Sequence, residues 1–227
     1  MQRIALKKVI GVAGTLMAIA AWPAASQAQL GLGGATQTVT GTVTGAVPTL
    51  PGTGTQTPTS TPSGQASAVT AIVLGSVSSL ADSGTLVDAA DPLGTGQPLG
   101  SIPGLLSAEA LHAATMGWTD QVASEASLGN LSMTVAGIGI TATTIISRAL
   151  AVSGGAPVGL SNIEGLTIGG VSVSPTGLPN QAVSIGGLNV VLNEQIQSAS
   201  GIVVNALHVT DPAGLVDVVV GTAKAGI

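Results

Sequence analysis

Hydrophobic and polar positions alternate along most of the chain after residue 65, and the alternation has a period of two. Two stretches 17 residues apart make this plainest. Leu166-Thr167-Ile168-Gly169-Gly170-Val171-Ser172-Val173 and Val183-Ser184-Ile185-Gly186-Gly187-Leu188-Asn189-Val190 each run an apolar segment into Gly-Gly and straight out again. Each predicts a β-hairpin, because a two-residue hairpin turn needs positive φ at both central positions and glycine adopts it cheaply. Ile202–Val209 and Leu215–Ala223 predict the last strands, the latter with β-branched Val216, Val218 and Val220 on one face.

Earlier in the chain the pattern is less even. Ala66–Val77 alternates, with Val69, Ala71, Val73 and Val77 on one side. Ser79–Pro103 is polar and rich in turn residues, with one short strand expected at Thr85-Leu86-Val87. Ser107–Thr115 carries alanines that favour a helix, but it lies among strands and a strand is expected, with Ala110, His112 and Ala114 on one face. Gln121–Val135 alternates and changes parity near Gly129. Ile138–Val152 reads as one long strand whose apolar face holds Ile138, Ile140, Ala142, Thr144, Ile146, Leu150 and Val152, and also Arg148. Roughly ten short strands with glycine-rich turns predict an all-β antiparallel sandwich. A β-solenoid is the runner-up, but two 17-residue units are fewer than the three repeats a solenoid needs.

The first 65 residues follow other rules. Arg3, Lys7 and Lys8 precede an apolar run, Val9–Ala21, and small residues Ser26 and Ala28 occupy −3 and −1 of a cleavage site before Gln29. That is the three-part pattern of a secretory signal peptide, and the run is too short for a membrane span. Residues 29–65 are rich in Thr, Gly and Pro and predict a disordered, extended stalk, since they offer too little apolar area to offset ordering. The expected organisation is therefore leader 1–28, linker 29–65 and β domain 66–227, with no membrane span once the leader is cut.

Charge and composition narrow the function. The leader holds three of the five basic residues, so the remainder sets two against ten carboxylates. Such a chain lacks the electrostatic footprint for nucleic acid or anionic membranes. Cysteine, Phe and Tyr are absent, and Trp118 is the one aromatic after the leader. The core must be aliphatic, no disulfide or thiol chemistry is available, and the aromatic girdles of an outer-membrane barrel are missing.

Few residues suggest chemistry. His112 and His208 share an Ala-Leu-His context, but two histidines fall short of the three or four ligands zinc takes. Asp82, Asp88 and Asp91 fall in the turn-rich segment as weak calcium candidates, at a spacing that fits no EF-hand. Arg148 on an apolar face demands a carboxylate, and Glu194 is the expected partner, with Asp217 second. Asn193, Gln195 and Asn205 are expected to satisfy backbone groups at strand ends. Sugar sites usually offer aromatic platforms, which Trp118 alone supplies poorly. There is no Gly-x-Ser-x-Gly, His-Glu-x-x-His or P-loop signature, so neither an enzyme nor a cofactor is expected.

Five segments carry a family resemblance: Leu166-Thr167-Ile168-Gly169-Gly170, Leu178-Pro179-Asn180, Leu192-Asn193-Glu194-Gln195, Val204-Asn205-Ala206-Leu207-His208-Val209 and Asp217-Val218-Val219-Val220-Gly221. Their order and spacing resemble the choice-of-anchor P family of bacterial secreted or surface proteins. The resemblance implies a secreted β-rich domain whose partner is an unidentified extracellular or envelope component. Relatives often carry cysteines near the positions of Ala149 and Ala225, and this chain has none. It also lacks a recognisable C-terminal anchor, so a released protein is expected. The resulting expectation is a non-enzymatic extracellular structural or interaction module, with a calcium- or polysaccharide-binding module as the alternative.

Overall fold

The computed structural model describes residues 61–88 and 92–227. The expected leader, most of the expected stalk, and Asp91 lie outside the described residues. Two antiparallel sheets pack face to face. The chain enters the first sheet with β1 (Ser63–Val73) and β2 (Ser76–Asp82), and β1 starts three residues ahead of the expected boundary at Ala66. It then builds the second sheet as a meander: β3 (Leu93–Ile102), β4 (Leu106–Gly117), β5 (Gln121–Val135), β6 (Ile138–Val152), β7 (Val158–Glu164), β8 (Thr167–Ile168) and β9 (Val171–Ser172). It returns to the first sheet with β10 (Gln181–Ile185), β11 (Leu188–Gln197), β12 (Gly201–Thr210) and β13 (Val216–Gly226).

The first sheet runs β10-β11-β12-β13-β1-β2, so the last strand closes on the first; the second runs β3-β4-β5-β6-β8-β9, with β7 also on β6. Every pairing is antiparallel. The sandwich is thus present, and the antiparallel pairing rules out the solenoid. Aliphatic side chains fill the space between the sheets, among them Val69, Leu207, Val209, Val218 and Val220 from the first, and Leu131, Met133, Ile140 and Ile145 from the second. Each large aliphatic so buried contributes about 1.5–3 kcal/mol, and no aromatic ring is needed.

Both Gly-Gly hairpins form, with positive φ at Gly169, Gly170, Gly186 and Gly187. The first joins β8 to β9 in the second sheet and the second joins β10 to β11 in the first. Gly169 and Gly186 both lie against Ile138, so the repeated turns meet at one end of the sandwich.

A seam crosses the strands. In the first sheet, Ala81, Gly221 and Asn193 have positive φ and stand opposite Ala68 and Ala206 of the intervening strands. In the second, Ala110, Asn130 and Gly165 are the positive-φ residues at the corresponding interruptions. On either side of the seam the inward-facing parity reverses. Val122, Ser124, Ala126 and Leu128 are buried before it in β5, and Leu131, Met133 and Val135 after it. In β6, Ile140 and Ala142 are buried, followed by Ile145, Ser147, Ala149 and Ala151. The expected single apolar face of Ile138–Val152 is therefore wrong past Ala142. Thr144, Ile146, Arg148, Leu150 and Val152 lie on the less buried side.

Two expectations for the segment 79–103 are corrected. Thr85–Val87 is not a strand; Leu86 is buried in a loop and donates its N–H to Gly64 O at 2.7 Å. Leu93–Ile102, read as turn-rich, is an edge strand, which is where Pro98 and its missing N–H can be tolerated. Ser107–Thr115 is strand, as expected, with Ala110, His112 and Ala114 away from the core.

Candidate functional site on the outer face of the first sheet

The turn at Ser198–Ser200 fixes the β11–β12 register, which sets Glu194 opposite Asn205. The seam at Asn193 turns Glu194 toward the outer face. There its Oε2 accepts from Asn205 Nδ2 at 2.6 Å and meets His208 Nδ1 at 2.9 Å. The other ring nitrogen, Nε2, meets Asp217 Oδ1 of β13 at 3.0 Å. Thr222 Oγ1 donates to Asn205 Oδ1 at 2.9 Å. One imidazole thus bridges two carboxylates. The cluster ties β11, β12 and β13 together. Its hydroxyl is spent on Asn205, and the acid–base pair Glu194–His208 lies on a sheet face.

A second network lies beside it. Asn193 Nδ2 donates to Gly177 O at 3.0 Å, and Gln195 Nε2 donates to Asn193 Oδ1 and to Gly159 O, both at 3.0 Å. Asn180 Oδ1 accepts from Gln195 N at 2.9 Å, while Asn180 N donates to Asn193 O at 2.8 Å. The segments Leu178-Pro179-Asn180 and Asn193-Glu194-Gln195 are therefore interlocked, and Gln195 reaches across to β7 of the second sheet. Asn193 and Gln195, expected to satisfy backbone groups at strand ends, donate to Gly177 O in the loop before β10 and to Gly159 O of β7. Asn205 departs from that expectation by bonding two side chains.

Arg148 is not paired with Glu194 or Asp217. Its Nε donates to Glu125 Oε2 at 2.6 Å, and the two residues stand directly opposite each other on β6 and β5. The parity reversal explains the correction: Arg148 never enters the core. Sequence reasoning could have found Glu125 by applying the change of parity at Gly129 to the neighbouring strand. It missed the His208 bridge because that depends on strand register.

Of the calcium candidates, Asp82 spends its carboxylate on the chain itself. Asp82 accepts from Gly84 N at 2.8 Å and from Gln65 Nε2 at 3.2 Å. Asp88 also has an interaction partner. No group of three or more potential metal ligands occurs among the described residues. His112 lies on β4 and His208 on β12, in different sheets. Ala149 and Ala225 are both buried in one small cluster with Val122, Ile202 and Val204. No helix among the described residues is long and apolar enough to cross a membrane. No family model, curated protein or solved structure matches the chain.

Proposed function

We propose that this protein is a secreted or cell-surface, non-enzymatic β domain of the choice-of-anchor P type, acting as an extracellular structural or interaction module. One observation carries the reading: the polar residues that make the resemblance specific are spent on the fold. Asn180 and Asn193 lock the crossover between sheets, and Glu194, Asn205, His208 and Asp217 tie three strands. Residues used this way support a scaffold more than a reacting centre.

The leader pattern at residues 1–28 motivates the cellular address. Expressing the full chain and a variant lacking residues 2–28, then separating medium, envelope and cytoplasm, tests it. The full chain is expected outside the cytoplasm with Gln29 as its first residue, and the shortened chain inside. An uncut chain in the cytoplasm would sink the proposal. Thermal melts with calcium and with chelator are expected to coincide, and a saturable calcium-dependent rise would favour a calcium module instead.

A further inference from the structure

On the outer face of the second sheet, the strand register aligns Ser101, Ser107, Ser132, Thr141, Thr167 and Ser172, each directly opposite the next. All are exposed except the half-buried Thr167. With neighbouring strands ~4.8 Å apart, the row of hydroxyls crosses the strands over about 24 Å. Thr141 Oγ1 and Thr167 Oγ1 are 2.8 Å apart. At its β3 end the row opens into a groove of about 320 Å³, lined by Leu99, Ser101, Ser107, Glu109 and Asn130 among others. Asn130 Nδ2 donates to Glu109 Oε2 at 2.7 Å, leaving Oε1 and Asn130 Oδ1 as acceptors for a ligand.

We propose that this row and groove bind a linear, uncharged polysaccharide laid across the strands, with one sugar unit seated in the groove. A hydroxyl carries one donor and two acceptors, the hydrogen-bonding complement of a polyhydroxyl chain, and the Thr141–Thr167 pair spends one donor and one acceptor on its own bond. A polymer with a regular repeat meets a regularly spaced row, and Leu99, largely exposed, offers the groove an apolar wall. Glu109 and the acidic chain disfavour a polyanion. A protein partner would want apolar anchors at the centre of the surface, where this row has hydroxyls. An ordered water lattice would want a second, parallel row. The flanking positions break that repeat, with Glu109 and Asn130 on one side and Gly139 beside Thr134 on the other. The inference goes beyond the module reading by naming the ligand class, and it is read on purified protein, independently of cellular location.

Affinity electrophoresis of the purified protein in native gels containing hydroxyethylcellulose, xylan or mannan, with alginate as the polyanion, tests it. Retardation is expected in at least one neutral gel and none in alginate. The variants Ser132→Val/Thr141→Val and Glu109→Gln, whose changes face solvent, should keep the wild-type melt. The double variant should bind about tenfold more weakly, equivalent to about 1.4 kcal/mol. No retardation in any neutral gel, equal retardation of wild type and double variant, or retardation in alginate would each overturn the proposal. So would thermal hysteresis of ice growth without polysaccharide binding.

Discussion

Glu194 and His208 are joined at 2.9 Å between β11 and β12, and the same carboxylate oxygen also takes the Asn205 amide at 2.6 Å. Both side chains are mostly shielded, at 20% and 23% exposure. Replacing Glu194 by Ala therefore removes the acceptor of the Asn205 amide and the partner of His208 Nδ1 at once. A partly buried group left unpaired costs about 1–3 kcal/mol, and that is the expected loss for Glu194→Ala. Urea denaturation measures it, as a lower midpoint with an unchanged slope. A double-mutant cycle with His208→Ala should return a coupling of at least about 0.5 kcal/mol. Strict additivity would mean that the contact contributes nothing to the sheet.

Arg148 and Glu125 have the shorter contact but the smaller expected effect. Their side chains are 37% and 28% exposed, and ion pairs in contact with solvent contribute about 0–1 kcal/mol. Arg148→Ala should cost less than about 1 kcal/mol. A loss of 3–5 kcal/mol, the range for breaking a buried pair, would mean that Arg148 is far less solvated than its position on β6 implies. High salt should shrink the wild-type advantage further.

The different standing of these pairs explains what could be read from the residues alone. The Gly-Gly turns were legible because positive φ is a local demand. The alternation of β5, including its change near Gly129, was legible for the same reason. The change of parity in β6 was not, because it is enforced by the neighbouring strands at Asn130 and Gly165 and falls on Thr143-Thr144, which carry no local signal. That single omission placed Arg148 in the core and assigned it to Glu194. Leu93–Ile102 was hidden by Pro98 and three glycines, which mark turns in most contexts but are tolerated at a sheet edge. The His208 bridge joins three strands and needed two registers at once.

The seam makes its own prediction, with opposite signs at two positions. Gly221 has φ +68, and a Cβ there would stand 3.2 Å from both Ala206 Cβ and Ile145 Cγ2 of the facing sheet. Gly221→Ala combines a left-handed backbone cost of about 1–2 kcal/mol with overpacking of about 1–3 kcal/mol. The expected loss is therefore a few kcal/mol, read from denaturation midpoints. Ala110 has φ 49 and is exposed, so Ala110→Gly relieves strain without opening a cavity. It should be neutral or slightly stabilising, within about 1 kcal/mol. If Ala110→Gly destabilised as much as Gly221→Ala, backbone conformation would not be what shapes the seam.

Asp211, in the loop between β12 and β13, supplies the acid-dependent prediction. Its carboxylate accepts from Val216 N at 2.7 Å and from Ala213 N at 3.3 Å. The Val216 N–H chiefly, with help from those of Leu215 and Ala213, holds the carboxyl below its usual range, against the opposing effect of burial. A carboxyl whose pKa is lower folded than unfolded stabilises the fold above its unfolded value of about 4, and that contribution fades as pH falls through the folded value. Asp211→Asn should consequently trail the wild type at neutral pH, and the gap should close below about pH 4. Urea midpoints for both proteins at neutral pH, near pH 4 and well below it give the comparison. A gap that stays constant into acid would show that the loop is held by the shape of the side chain, which asparagine shares, and not by its charge.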